Sequence, residues 1–400
     1  VNFETALDLK LAALERSGEL TDGTSDYDSI CEEQLDAMYR ALFAGGNEFN
    51  VDLGEAWEWA KNPTPGLLKL VAPYETGSCI VTLGSTSATF NTTPSSSLGS
   101  FADWFIRFNS RTSVYRISAH TSGAAGFTLD QEYLEATSSS LAFTAFKIDY
   151  DLTTNIERLT QAMRVFGTEV GNDRPGAIEG TDLSSFDQHY PRSHVRAGVP
   201  QKFALLKELN GLPTVRFSQF PSESLRVEYE YIPVAEKLAI KTFTAATTDV
   251  CTAANHGFRD GTQVKVVTTS ALPTGLILET VYYIRDSALD TFKLAATSGG
   301  TAIDITGVGT GTHTISAIPK IPRAFRKVLM YAASHFILVD KSDSRSDYFH
   351  RQTQATLQAL VTANRKMKRQ ISTNKGRMLT RLDARGGTPS LYDRIPWIYN

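Results

Sequence analysis

The stretch DVCTAANHGFRDGTQVKVVTT at 249–269 sets a thiol, an imidazole and a carboxylate close together as Cys251, His256 and Asp260. Those types could form a nucleophile, a base that activates it and a third group that orients the base. Cys251 and His256, however, flank the small-residue bend AANHG between two strand-like runs, and Asp260-Gly261 is a turn dipeptide. No oxyanion-donor loop or second base is recognisable nearby, so a structural bend is the stronger reading. His189 and His194 stand in the loop DQHYPRSHV, where a shared metal is conceivable. The proline between them breaks the helical face that would aim both rings at one ion, and an interface loop is the alternative. The carboxylates of DYDSICEEQLD, with Glu32 and Asp36 among them, could act as acid and base in glycan hydrolysis. Such a run more often forms the solvated face of a helix. His335 falls on an apolar helix face, which suits a hydrogen-bonded core or interface histidine better than a general base. No enzyme signature survives, and the expectation is a structural or assembly protein without catalytic residues, cofactor or metal.

The elements that carry these residues belong to a chain of 400 residues, length for two or three domains, with ordinary globular proportions of 42% hydrophobic and 21% charged residues. The longest apolar run, KVLMYAASHFILVD, is too short to span a bilayer, and no basic-then-apolar segment opens the sequence, so a soluble protein without a secretion signal is expected. Cys31, Cys79 and Cys251 lie far apart and are odd in number, which excludes a disulfide framework or a CxxC clip and fits a reducing compartment. The net charge of -3 hides an asymmetry. Residues 1–60 are strongly acidic, with only Lys10, Arg16 and Arg40 opposed, whereas 362–385 carries Lys and Arg against Asp383 alone. The basic end would seek nucleic acid or an acidic neighbouring chain.

Apolar spacing of three and four at Leu7, Leu11 and Leu14, and again at Ile30, Met38 and Leu42, predicts two helices, the second ending at Gly45-Gly46. Trp57 and Trp59 are spaced as on one face of a strand. From Tyr74 to about Tyr150 the period becomes two and predicts a compact β module. NIERLTQAMRVFG reads as a helix followed by a polar connection, KFALLKEL as strand or short helix, and TVRFSQFP with LRVEYEYIP as a strand pair. Residues 241–317 form a second β-rich segment with Pro-punctuated flanks, as expected of an insertion. Phe325, Val328, Leu329, Ala332 and Phe336 begin a helical part, with a second helix over 345–369. The end, STNKGRMLTRLDARGGTPSLYDRIPWIYN, is polar and basic and then aromatic, so it needs a partner surface.

Several of these stretches in order resemble the head-to-tail adaptor (connector) proteins of tailed bacteriophages, of the tail tubular protein A type. They are the helical opening with FNVDLGEAWEWAK, the β module GSCIVTLGSTSATF…VYRISAHTSGAAGFTLDQEYLEAT, the pair VPQKFALL…LRVEYEYIP, and the helical IPRAFRKVLMYAASHFILVDKSDSRSDYFHRQTQATLQALVTANRKM. The stretch AANHGFRDG…GTGTHTI resembles an immunoglobulin-sized β module of phage virion proteins. The resemblance implies an α+β chain with a helical adaptor core, two β-rich modules and an extended C-terminal arm. Its parts would be an N-terminal helical part at 1–62, a β-rich module at 63–150, a connecting loop and strand pair at 151–240, an inserted immunoglobulin-like module at 241–317, helices at 318–370 and the arm at 371–400.

It further implies a structural virion protein at the head–tail junction, assembled in the host bacterial cytoplasm as a homo-oligomeric ring of about twelve copies. The ring would join the portal protein to the tail nozzle or tube, with tail fibres as a further contact, and let DNA pass without sequence-specific binding. Arg377, Arg381 and Arg385 would pair with acidic surface on the portal or a neighbouring subunit, and Trp397, Ile398 and Tyr399 would be buried anchors there. A sliding channel should avoid fixed phosphate contacts, so the arm is expected to bind protein. The alternatives are a distal tail nozzle or fibre-attachment subunit, and a virion-associated cell-wall hydrolase using Glu32 or Asp36.

Overall fold

The computed structural model describes residues 3–383 apart from 47, 48, 50, 52–56, 110, 112, 153–155, 161, 162, 168–175, 192–195, 210 and 211. Five α-helices lie among the described residues: α1 Ala6–Ser17, α2 Asp28–Ala44, α3 Leu183–His189, α4 Lys327–Asp340 and α5 Ser346–Asp383. A reciprocal cap starts α1, since the Thr5 hydroxyl accepts from the Asp8 N–H at 3.2 Å while the Asp8 carboxylate accepts from the Thr5 N–H at 3.0 Å. Gly18, at φ 75, ends it in the left-handed region that only glycine adopts without strain. The N-cap of α2 is Tyr27, which makes no side-chain cap bond.

Contacts divide the chain into two compact units, one of Val1–Lys61 with Val234–Asn400 and the other Asn62–Pro233. The second unit holds two seven-stranded sheets. One runs Ser138–Leu141, Cys79–Val81, Ser87–Phe90, Gly126–Leu129, Val114–His120, Phe105–Phe108, Phe143–Phe146, antiparallel throughout. Its inward positions alternate, as the period of two predicts, and deliver Phe90, Phe127, Tyr115, Ile117 and Phe143 to one core. Phe90 is the hub of that core, with ring centroids 4.4 Å from Phe127 and 5.2 Å from Phe143. The other sheet runs Gly66–Leu70, Leu225–Tyr229, Met163–Gly167, Gly176–Thr181, Lys202–Leu209, Leu212–Phe217, Asp149–Asp151. It is antiparallel except where Gly176–Thr181 lies parallel to Lys202–Leu209, the crossover between them carrying α3.

In the first unit, residues 240–317 close into a six-stranded barrel in the order Ile240–Ala245, Cys251–Thr252, Thr291–Ala295, Tyr282–Arg285, Gln263–Thr268, His313–Ala317. α1, α2, α4 and α5 pack together beside it, with Leu9, Leu14, Leu35, Leu42, Leu329 and Leu357 among their buried residues.

This architecture corrects the expected α+β fold with a helical adaptor core. The chain is mainly β, and four of its five described helices form one small layer beside the barrel, α3 belonging to the other unit. The segment NIERLTQAMRVFG is no helix: Ile156–Leu159 and Met163–Gly167 are strands, the latter held on both sides by Gly176–Thr181 and Leu225–Tyr229. The supposed connection over 151–240 is therefore most of a sheet. The immunoglobulin likeness implies two facing sheets, whereas 240–317 forms one closed barrel, which removes edge strands altogether. Trp57 and Trp59 occupy a coil and a turn, their rings 5.7 Å apart, and not one face of a strand. The arm expected to be extended from 371 is helical as far as Asp383, because α5 runs unbroken through Gly376.

Candidate functional site

Each reactive side chain singled out above that lies among the described residues is held by a contact of its own. Cys251 is fully buried in the barrel, paired in register with Ala245 and Phe292, and burial pushes its thiol up to about 12. A nucleophilic cysteine needs the opposite shift. His256, equally buried, accepts the Phe258 N–H on Nδ1 at 3.0 Å and donates from Nε2 to the Thr291 carbonyl at 3.3 Å. Its ring packs 5.3 Å from Phe258 and 5.0 Å from Phe292, so both nitrogens and both faces are committed. Asp260 is exposed and accepts the Ser287 N–H at 2.8 Å. Cys251 thus lies in a strand while His256 and Asp260 brace loops of the barrel, in keeping with the bend.

His189 ends α3 and donates from Nδ1 to the Ser185 carbonyl at 2.7 Å, while His194 lies outside the described residues. Among the described residues no group of three or more His, Cys, Asp or Glu is arranged to hold a metal ion. His335 joins α4 to α5, donating to the Ser346 carbonyl at 3.0 Å with its ring 5.0 Å from that of His350. Glu32 and Asp28 both pair with Lys10, Glu32 at 2.7 Å. Burial would lower the Lys10 pKa, but hydrogen bonds to Asp28 and Glu32 outweigh it and raise the value above that of an ordinary lysine. The ammonium is nearly buried between α1 and α2, so Glu32 serves there as a counter-ion.

Asp36 has a role that sequence reasoning missed. Its carboxylate accepts the Leu238 N–H at 2.8 Å and pairs with Arg40 at 2.9 Å. One turn further along α2, the Tyr39 hydroxyl accepts the Lys320 N–H at 3.2 Å. Leu238 and Lys320 stand just before and just after the barrel, so one face of one helix grips both of its connectors. A second grip comes from the start of α1. Glu4 pairs with Lys265 of the barrel at 2.5 Å and with Arg323 at 2.7 Å, and the Leu7 N–H donates to the buried Ser316 hydroxyl at 2.8 Å. The signals available in sequence were only single polar residues among apolar ones. Asp36→Ala should strand the buried Leu238 N–H at a cost of about 1–3 kcal/mol. A lower melting temperature and faster proteolysis between 234 and 239 than in the parent chain would register it.

The predicted interface residues divide. Arg377 and Arg381 belong to the helical backbone of α5, whereas Arg385, Trp397, Ile398 and Tyr399 lie outside the described residues. Among the described side chains of α5 the buried positions follow helical spacing, Phe349, Thr353, Leu357, Leu360 and Asn364, and Arg365, Lys366 and Met367 after them are exposed. The geometry joins the barrel firmly to the helical layer. No protein-family model matches this chain, and no curated protein matches it.

Proposed function

We propose that the chain is a structural subunit of a tailed-bacteriophage particle, assembled in the bacterial cytoplasm into a ring of about twelve copies that joins portal to tail around a channel for DNA. The observation that carries the proposal is α5, whose described side chains pass from buried at Leu360 and Asn364 to exposed at Arg365, Lys366 and Met367 while the helix runs on, with a basic sequence, to Asp383. An exposed basic turn on a helix that runs on is suited to contact another chain. The order of segments resembling connector proteins supports the same reading. So does the doubly gripped barrel, which gives a rigid body of the kind a load-bearing joint requires. Cys251, His256 and Asp260 have structural work in this reading and no catalytic part. Arg377, Arg381 and Arg385 face acidic protein surface, and Trp397, Ile398 and Tyr399 anchor on the portal or an adjacent subunit. The DNA makes no sequence-specific contact. Negative-stain images and mass photometry of the chain mixed with portal protein test this, and closed rings bound to portal are expected. A chain that forms neither a ring nor a portal complex under any assembly condition would sink the proposal.

A further inference from the structure

The two charged segments of the helical layer lie at opposite ends of α5. Between Arg16 and Arg40 the sequence has no basic residue. Several of its acids are neutralised internally: Glu19 by Lys341, Asp28 and Glu32 by Lys10, Asp36 by Arg40. Asp22, Asp26 and Glu33 are exposed and have no ion pair among the described residues. Leu20 and Ile30 stand beside them in the chain, 62% and 37% exposed. This acidic connection is fastened to the turn from which α5 starts, because the Tyr27 hydroxyl donates to Asp340 at 2.9 Å and Glu19 pairs with Lys341.

The basic segment begins at Lys366 and continues through Lys368, Arg369, Lys375 and Arg381, with Asp383 its lone acid. Positions 367, 371, 378 and 382, which are Met, Ile, Met and Leu, continue the register of the buried Leu357, Leu360 and Asn364. The sequence therefore continues an apolar stripe flanked by cations along α5 beyond Asn364, and Lys366 and Met367, its last described side chains, are exposed. At a rise of ~1.5 Å per residue, Lys366 lies about 30 Å, and Arg381 about 50 Å, along the axis from the start of α5. One unbroken helix cannot bend its basic end back to an acidic surface fastened at its beginning. Parallel pairing with α5 of another copy would set cation against cation, and antiparallel pairing would set it against a half whose lone acid is Asp347.

We infer that the basic half of α5 docks on the acidic α1–α2 connection of a second copy of this chain, its apolar stripe meeting Leu20 and Ile30. Complementary surfaces at opposite ends of one body make a head-to-tail contact, which closes into a ring when the rotation between copies allows it. The inference deepens the ring reading by naming the contact that repeats around the axis, and it is tested without portal.

The experiment measures self-association of the full chain by sedimentation velocity and mass photometry. It compares wild type, Lys366→Glu with Arg369→Glu, Asp26→Lys with Glu33→Lys, and an equimolar mixture of the two reversed chains. Each reversed chain alone should need a concentration at least about tenfold higher for half-assembly. The mixture should assemble as wild type does, because each altered surface then meets its complement. Circular dichroism of each variant identifies any that fails to fold, and the single substitutions Lys366→Glu and Asp26→Lys then serve in its place. Wild type that stays monomeric, variants that assemble like wild type, or a mixture that does not recover would each overturn the inference. So would loss of duplex-DNA binding in the basic-reversed chain with assembly unchanged. A chain that assembles and shows rescue but never binds portal would leave this contact standing and refute only the portal joint.

Discussion

Phe90→Ala should cost about 3–5 kcal/mol, the largest loss expected from any single truncation in residues 62–233. Phe90 is 1% exposed and touches the rings of Phe127, Phe143, Phe101 and Tyr74. Those four neighbours come from different parts of one sheet and its loops, so the space left by the benzyl group cannot close by one side chain shifting. Both lost burial and a residual cavity contribute. For a unit of this size the melting transition should fall by roughly 10 °C. Phe90→Leu should cost clearly less, because most of the volume remains. Calorimetry distinguishes the outcomes: an unchanged transition in the alanine variant would mean that this aromatic cluster does not hold the sheet together.

The second large effect is alkaline unfolding. Cys31 and Cys251 are wholly buried, and desolvation pushes both thiols up to about 12; Cys79 is pushed up further by the same cause. In the unfolded chain the thiols ionise near pH ~8.5. Below that pH both states hold the proton and stability is unaffected. As pH rises, the unfolded chain releases protons that the native chain retains, and stability falls by about 1.4 kcal/mol per pH unit for each thiol. The loss continues until the native values are passed. Buried Tyr39 and Tyr150, whose phenols are raised mainly by desolvation, add to it above about pH 10. Cys31→Ala with Cys251→Ala should move the alkaline midpoint of the first unit upward while leaving that of residues 62–233 where it was. Equal midpoints in parent and variant, followed by tryptophan fluorescence and circular dichroism, would refute the assignment.

Alternation from Tyr74 to Tyr150 and from 241 to 317 made both β regions legible, and the three-four spacing at Leu7, Leu11 and Leu14 marked α1. Closure of the second β region into a barrel was not legible, because strand alternation is the same in a sandwich and a barrel. The stretch 156–167 misled for a definite reason. Ile156, Leu159, Met163 and Phe166 repeat at three and four like a helix, yet they are two short strands with a break between them, and pairing with distant strands overrides the local pattern. Likewise the second helix was expected to end at 369, before the polar STNKG, but α5 continues to Asp383. Of the chemical candidates, the turn chemistry around Asp260 was readable from Asp-Gly. The grip of Asp36 and Tyr39 on the barrel connectors was not, since it links residues about two hundred and more positions apart.

The lateness of α4 has a consequence for how a ribosome delivers this molecule. α1 and α2 bury their apolar faces against a helix that begins at Lys327, and Ser334 of that helix donates to the carbonyl of Ala13. At ~5–20 residues per second, roughly fifteen seconds to a minute separates the synthesis of α2 from that of α4. Throughout that interval residues 62–233 can finish folding while the first two helices wait with greasy sides bare, a stage at which nascent-chain chaperones would be needed. Copies still being made would also lack the fastened acidic connection, which under the self-association proposed above confines joining to finished chains.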